Sequence, residues 1–278
     1  MDQPTVGILH PGSMGAAVAA CAATNATAVL WCENGRSPAS AARAEQAGLT
    51  PVPTLRELLD RSDIVIGLCP PAAAEEVARE VAGHAFTGTY VETNAISPER
   101  AERIADLLRP AATVVDGAVV GSPPVGGKTP TLYLSGPTAA TAMVEAVFAG
   151  TAVRTKVLGT DVGQASALKV SYTAFQKASR VLAALATGMA RQYDVDQELL
   201  KVAARRSTSY LAEPEYIPKV AARAWRWGPE LEEAADTLAA AGLPPEMLRA
   251  AASTLARWHD AKDDEISVAD ALEQLAQP

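Results

Sequence analysis

Residues 6–15 read VGILHPGSMG and run directly into AAVAACAA at 16–23. No other stretch limits the possible folds of this chain as tightly. It is an apolar strand, then a glycine turn, then a helix of small residues with high helical propensity. The first N–H groups of a helix lack intrahelical partners and carry partial positive charge, so such a turn suits an anion. Glycine lets the anion approach the backbone closely. The dinucleotide fingerprint is Gly-x-Gly-x-x-Gly within a strand–helix–strand unit. Here His10 stands at the first glycine position, while Gly12 and Gly15 fill the second and third. A strand-like run, TAVLWC (27–32), follows and completes the unit. An ordinary turn before a helix is the competing reading. The segment predicts His10, Pro11, Gly12, Ser13, Met14 and Gly15 as contacts for a pyrophosphate-bearing cofactor.

Strand and helix patterns alternate through the first half of the chain. Strand-like runs lie near 5–9, 27–32, 63–68, 88–92, 113–120, 130–135 and 152–157. Helical patterns fall between them, such as 72–83 and 97–109. The latter opens with Ser97 as N-cap and Pro98 in the first turn. This alternation predicts an α/β Rossmann domain with a doubly wound, mostly parallel sheet over residues 1–160. From 161 to 278 no convincing strand occurs, and an all-α domain is expected. A long interdomain helix is predicted from about Asp161 to Tyr193, with Asp161 as its N-cap, and further helices near 195–208, 214–240 and 244–258.

Composition excludes several classes of function. No run of 18 apolar residues occurs, so no membrane-spanning helix is expected. The first residues lack the basic stretch of a signal peptide. The three cysteines, Cys21, Cys32 and Cys69, are odd in number and lie in predicted core elements, as in a reduced, cytoplasmic protein. A formal net charge of −8 offers no footprint for nucleic acid. The three histidines are far apart, at 10, 84 and 259, and no metal site is expected.

Four motifs together resemble the β-hydroxyacid dehydrogenase family, and the resemblance spans essentially the whole chain. HPGSMG (10–15) is similar to the family's G-x-G-x-M-G, and ETNAISPE (92–99) to its S-T-x-S-P segment. DGAVVGSPPVGG (116–127) resembles the substrate-binding D-x-P-V-S-G-G, and GQASALK (163–169) resembles G-x-G-x-x-x-K. The family includes 3-hydroxyisobutyrate and 6-phosphogluconate dehydrogenases and, more distantly, imine reductases. The nearest branch has a phosphogluconate-dehydrogenase-like C-terminal domain. The resemblance implies a catalytic lysine at Lys169 and substrate contacts from Val120, Gly121 and Ser122. It places Asn94 beside the nicotinamide ribose and gives Cys69, Pro70 and Pro71 backbone contacts to the cofactor. It also implies a homodimer formed through the helical domain.

Lys169 has a chemical rationale of its own. Hydride transfer to or from an alcohol carbon requires a proton to leave or reach the oxygen, and a lysine of lowered pKa does both. Its neighbours Ala165, Ala167, Leu168 and Val170 are apolar. A solvated helix lysine is the alternative. Tyr172, Thr173 and Gln176 follow at i+3, i+4 and i+7 and share its helix face. Tyr172, Thr173 and Ser122 are therefore candidate catalytic companions and Gln176 a substrate contact. The family's asparagine four residues after the lysine is Thr173 here, and the phosphogluconate branch's glutamate is Gln176. The Pro, Ser and second Gly of P-V-S-G-G are Ala118, Val120 and Ser122. These departures leave the substrate open.

Cofactor choice turns on WCENGRSPAS (31–40). A carboxylate after the second strand selects NAD, and an arginine with small polar neighbours accommodates the 2′-phosphate of NADP. Glu33 argues for NAD; Asn34, Arg36 and Ser37, with Arg43 nearby, favour NADP. The aromatic run RAWRWG (223–228), with Tyr210 and Tyr216, suits helix packing, a dimer interface or a pocket wall. The expected activity is NADPH-dependent hydride transfer to or from a small hydroxy acid or alcohol, with a lysine as acid and base. The alternatives are C=N reduction with Tyr172 or Lys169 as proton donor, and a non-catalytic NADP(H)-binding protein.

Overall fold

The computed structural model describes residues 3–277 apart from 207, 209, 211, 212 and 263. The chain divides into two compact units, Met1–Thr173 and Ala174–Pro278. The first is built on an eight-stranded sheet of order β3-β2-β1-β4-β5-β6-β7-β8. Its strands are β1 (Thr5–Ile8), β2 (Ala28–Cys32), β3 (Thr50–Val52), β4 (Ile64–Gly67), β5 (Thr89–Glu92), β6 (Thr113–Val120), β7 (Thr131–Ser135) and β8 (Arg154–Gly159). Neighbours run parallel except β6 and β7, which are antiparallel. Those two are joined by the loop 121–130 with no crossover helix, and a direct loop permits only antiparallel pairing. The sheet is therefore the mostly parallel one that the alternation of elements predicts.

Helices cover both faces, so the central strands, such as β4 and β5, are buried on both sides. Ile64 and Ile66 of β4 join the core beneath α1 (Ser13–Ala22) and α6 (Thr138–Phe148). Val65, between them, joins the opposite core beneath α3 (Leu55–Arg61), α4 (Ala74–Gly83) and α5 (Pro98–Leu108). Alternate strand residues point to opposite faces, and a sheet apolar on both sides needs helices on both. Ser97 caps α5 by accepting from Arg100 N, with Pro98 in its first turn, as its sequence indicates. Ser37 caps α2 (Pro38–Gln46) in the same way, accepting from Ser40 N. β3 was not expected; three residues including Pro51 at a sheet edge carry no periodic signal.

The long helix, α7 (Gln164–Gln192), begins three residues after Asp161, the expected N-cap. In its first turn Gln164 N donates to Asp161 O, and Ala165 N and Ser166 N take side-chain acceptors from the sheet, as described below. In the second unit the remaining described elements are helical: α8 (Asp196–Ala203), α9 (Ile217–Ala221), α10 (Ala224–Ala240), α11 (Glu246–Leu255) and α12 (Val268–Ala276). Ala221, Ala224, Leu255, Trp258, Ala261 and Ala271 form its buried cluster. The Trp258 indole donates to Ala271 O at 2.9 Å, which satisfies the one polar atom of that ring. The single helix expected over 214–240 is broken, because Pro214 and Pro218 favour helix starts and disfavour continuation. No helix among the described residues is long and apolar enough to cross a membrane.

Candidate functional site

Strand order places β1 between β2 and β4, so the chain crosses to opposite sides of the sheet on either side of β1. Ligands of open α/β sheets bind at such a switch point, outside the carboxyl ends of the strands. A cavity of about 480 Å³ lies there. The His10–Gly15 turn lines it from β1, Gly35, Arg36, Ser37 and Ser40 line it from the region after β2, and Leu68, Cys69 and Pro70 line it from the end of β4.

The turn is held tightly. Gly12 N donates to His10 O at 2.8 Å, and Arg43 Nε donates to Pro11 O at 3.2 Å. Arg43 also donates to Ser40 Oγ at 3.1 Å, so it ties the β1 turn to α2. A Cβ on Gly15 would collide with the carbonyl oxygen of His10. Glycine at 15 is therefore what lets α1 start this close to the strand. Gly12 occupies the N-cap position of α1, and no side chain caps that helix. Its first amides suit an anionic ligand.

His10 and Arg36 share the cavity. Burial, aided by the Arg36 charge, holds the His10 imidazole down at about 4, so it is neutral at pH 7. His10 Nδ1 and Arg36 Nε are both buried and have no hydrogen-bond partner. Buried polar atoms seldom lack partners, and two at one cavity fit a polar ligand seated between the turn and the loop after β2. The other expected cofactor contacts divide. Ser13 and Ser37 are exposed at the rim, and Met14 packs against the core. Asn34 and Pro71 are exposed and do not line the cavity. Glu33 lines a separate hollow with Trp31 and Pro51.

Asn94 is only 2% exposed, and its side chain is engaged by the protein itself. Its Oδ1 accepts from Cys69 N at 2.6 Å, and its Nδ2 donates to Glu92 Oε1. The amide thus staples the end of β4, which lines the cavity, to the end of β5. Glu92 is 1% exposed, its Oε1 also accepts from Asn94 N at 2.8 Å, and its Oε2 has no partner. Burial pushes this carboxyl up to about 7, against the lowering effect of its Asn94 hydrogen bonds; the Asp116 charge raises it further. Burial likewise raises the Cys69 thiol to about 11, with the Glu92 charge adding to the effect.

The second group of expected residues lies on β6, on the turn after it and on α7. Lys169, half-buried on α7, donates from Nζ to Val119 O at 2.7 Å. Val120 is half-buried, and Gly121 and Ser122 are exposed in the turn that follows. Gly121 has φ +126°, and a Cβ there would lie 3.0 Å from Pro130 Cα, so no other residue fits without strain. Thr173 is half-buried and Tyr172 exposed on the same helix. Gln176 is exposed on the part of α7 that belongs to the second unit. β1, β2, β4, β5 and β6 run parallel, so the cavity and Lys169's anchor lie at the same, carboxyl end of one sheet.

Sequence reasoning missed four buried polar residues: Glu92, Asp116, Ser135 and Ser166. Their signal was a polar residue inside an apolar run, as in TVVDGAVV and GTYVETN. A strand buried on both faces has no solvated side for such a residue, so it must bond within the protein.

A Rossmann sheet with an uncapped helix and a glycine turn at its switch point is the architecture of NAD(P)-binding dehydrogenases, and this chain has it. The family model for the NAD binding domain of 6-phosphogluconate dehydrogenase matches residues 5–159, and that for a domain of unknown function (DUF1932) matches residues 190–258. The first match covers more than half of the chain, which belongs to that dehydrogenase family, as its motifs indicate. An uncharacterized 28.5 kDa protein from Methanothermus fervidus is 28% identical over 174 residues, which are 63% of this chain and 66% of that one. The chain thus spans just under two thirds of that relative's length. Solved structures of similar fold include a conserved protein of unknown function with structural similarity to 3-hydroxyacid dehydrogenases (23% identical, TM-score 0.61, covering 98% of this chain and 100% of that one). A reductive aminase from Aspergillus terreus in complex with NADPH, cyclohexanone and allyl amine is 20% identical with TM-score 0.73, over 98% and 99% of the two chains. An imine reductase from Streptomyces aurantiacus is 21% identical with TM-score 0.73, over 98% and 100%.

Two outcomes are expected. Gly15→Ala forces the turn away from α1 and lowers affinity for a reduced nicotinamide dinucleotide at least tenfold, read by fluorescence titration, with the far-ultraviolet circular dichroism of the chain nearly unchanged. Glu92 holds its proton in the folded chain between its ordinary value of 4.5 and about 7, where the unfolded chain has lost it. Stability therefore falls as pH rises across that window, by about 3 kcal/mol at most. Glu92→Gln lacks this loss, so its stability relative to the parent rises between pH 4.5 and 7.5 in urea denaturation. A pH-independent difference would show that Glu92 does not titrate there.

Proposed function

We propose that this chain is an NADP(H)-dependent oxidoreductase that moves a hydride between the nicotinamide and a small hydroxy acid or alcohol, or its carbonyl form. Lys169 serves as general acid and base. The observation that carries this reading is the placement of Lys169: half-buried, its Nζ anchored to Val119 O at the carboxyl end of the parallel strands, the end of the sheet at which the cavity lies. A lysine used only for solubility would extend into water. The bond to the carbonyl fixes the end of a flexible side chain, which is what proton transfer to a defined oxygen requires. In this reading Ser122, Tyr172 and Thr173 would supply hydroxyls to the reaction, and Gly121 and Val120 backbone groups for a carboxylate.

The His10–Gly15 turn, Arg36 and Ser37 would hold the dinucleotide, and residues 1–160 form its domain. The cofactor supplies or takes the hydride when bound. NADP is favoured over NAD because Arg36, Ser37 and Ser40 line the cavity whereas Glu33 faces another hollow. Residues 161–278 would complete substrate binding and form a homodimer. Val181, Leu182, Tyr193, Val195, Leu200 and Val202 support this, as large apolar side chains exposed close together in the sequence. The three free cysteines accord with a cytoplasmic protein.

C=N reduction is the second reading, with Tyr172 or Lys169 giving the proton to nitrogen. It is favoured by whole-chain similarity to the reductive aminase and imine reductase structures.

A panel of β-hydroxy acids, alcohols, keto acids, aldehydes and cyclic imines, read by NADPH absorbance, decides between the readings. Turnover of oxygen substrates supports the first, and turnover of imines alone supports the second. Tight NADPH binding with no turnover anywhere would leave a non-catalytic binding protein. Lys169→Met should bind NADPH normally and lose kcat by about 10²–10⁴-fold. Arg36→Ala should raise KM for NADPH at least tenfold and leave KM for NADH nearly unchanged; equal effects on both would remove the NADP assignment.

A further inference from the structure

We infer that Asp116 is the positioning residue for Lys169, holding the lysine's helix from the sheet. The inference deepens the catalytic reading of Lys169 and rests on it.

The first turn of an α-helix has amides without intrahelical acceptors, and a side chain just before the helix usually accepts from them. In α7 the Gln164 amide reaches Asp161 O at 3.4 Å, and the other acceptors come from two strands. Gly163 N and Ser166 N both donate to Asp116 Oδ2 at 2.9 Å. Ser166 Oγ donates to Asp116 Oδ1 at 2.7 Å. Ala165 N donates to Ser135 Oγ at 3.2 Å, and that hydroxyl donates to Asp116 Oδ2 at 3.2 Å. Asp116 and Ser135 face each other in the β6–β7 register, and both are fully buried. Ser166 is 1% exposed. Water does not compete for these bonds, so their geometry is set by the protein.

The second anchor lies on the same strand. Val119, three residues beyond Asp116 on β6, presents the carbonyl that accepts from Lys169 Nζ. On the helix, Lys169 is three residues beyond Ser166 and shares its face. The segment 116–119 of β6 therefore grips the segment 163–169 of α7 twice, once through a carboxyl group and once through the lysine. A local N-cap would start the helix without fixing where it lies against β6. An acceptor on the strand fixes both, so the rotation and depth of α7 at Lys169 follow from Asp116.

The test compares Asp116→Ala, Asp116→Asn and Ser166→Ala with the parent enzyme. Limited acetylation with acetic anhydride, read by peptide mass spectrometry, measures the reactivity of Lys169 against exposed Lys201 as internal reference. Steady-state kinetics use the best substrate of the panel above. In Asp116→Ala, Lys169 acetylation should rise at least threefold relative to Lys201, and kcat should fall at least tenfold with KM for NADPH within twofold. Asp116→Asn should restore most of both, since its carbonyl oxygen can accept from the same amides. Ser166→Ala removes one bond and keeps the amides satisfied; it should shift acetylation in the same direction, and it carries the test should Asp116→Ala not fold. A folded Asp116→Ala or Ser166→Ala protein with the parent's Lys169 acetylation rate would overturn the positioning. Full turnover in Lys169→Met would instead overturn the catalytic reading, and with it the catalytic consequence of Asp116, while the acetylation result stands by itself.

Discussion

A carboxyl group with no solvent exposure, placed in the middle of a sheet covered on both faces, is costly unless every lone pair finds a donor. Asp116 approaches that condition with four donors: the Gly163 and Ser166 amides and the Ser135 hydroxyl on Oδ2, and the Ser166 hydroxyl on Oδ1. The arrangement is more than a satisfied polar atom. The group that β6 needs to neutralise its buried acid is the same group that α7 needs to begin. The start of the long helix is therefore tied to the sheet as well as to its own sequence. The lysine one turn further on inherits that placement.

Glu92 stands opposite Asp116 in the β5–β6 register and shows the other way to bury an acid. It has two donors, both from Asn94, and one oxygen with none. With its proton retained to about pH 7, the unpartnered oxygen becomes a hydroxyl and the cost of a bare charge is avoided. The two acids therefore divide their duties. Asp116 organises the lysine side of the sheet edge, and Glu92, through Asn94 and the Cys69 amide, organises the loop beneath the cavity.

The parts of the molecule governed by local rules were legible in the sequence. The turn and helix at 10–22, the cap at Ser97, and the runs that became β1, β2, β4, β5 and β6 all follow from propensity, capping and apolar pattern. What was not legible depended on partners distant in the chain. Asp161 has the right residue type and spacing for an N-cap, yet α7 starts later because Asp116, about fifty positions upstream, supplies the acceptor. Asn94 reads as a ligand contact from its motif, but its amide is spent on Cys69 and Glu92. β3 exists only because β2 offers an open edge, which no three-residue pattern can announce.

The imperfect glycine motif illustrates the difference between a pattern and the force behind it. Three glycines are written in the fingerprint, and their steric roles differ here. At position 15 a Cβ would strike the His10 carbonyl, so glycine is obligatory for close strand–helix packing. At position 12 a Cβ would meet nothing within 4 Å of the protein, so any demand for glycine there comes from a ligand. At position 10 the backbone has no positive φ, and the chain accommodates an imidazole. That side chain turns a position that elsewhere only permits approach into one that lines the cavity beside Arg36. Losing the first glycine thus leaves the turn intact and changes the chemistry of its wall. One fold can thus keep its backbone geometry while the side chains that line its cavity vary.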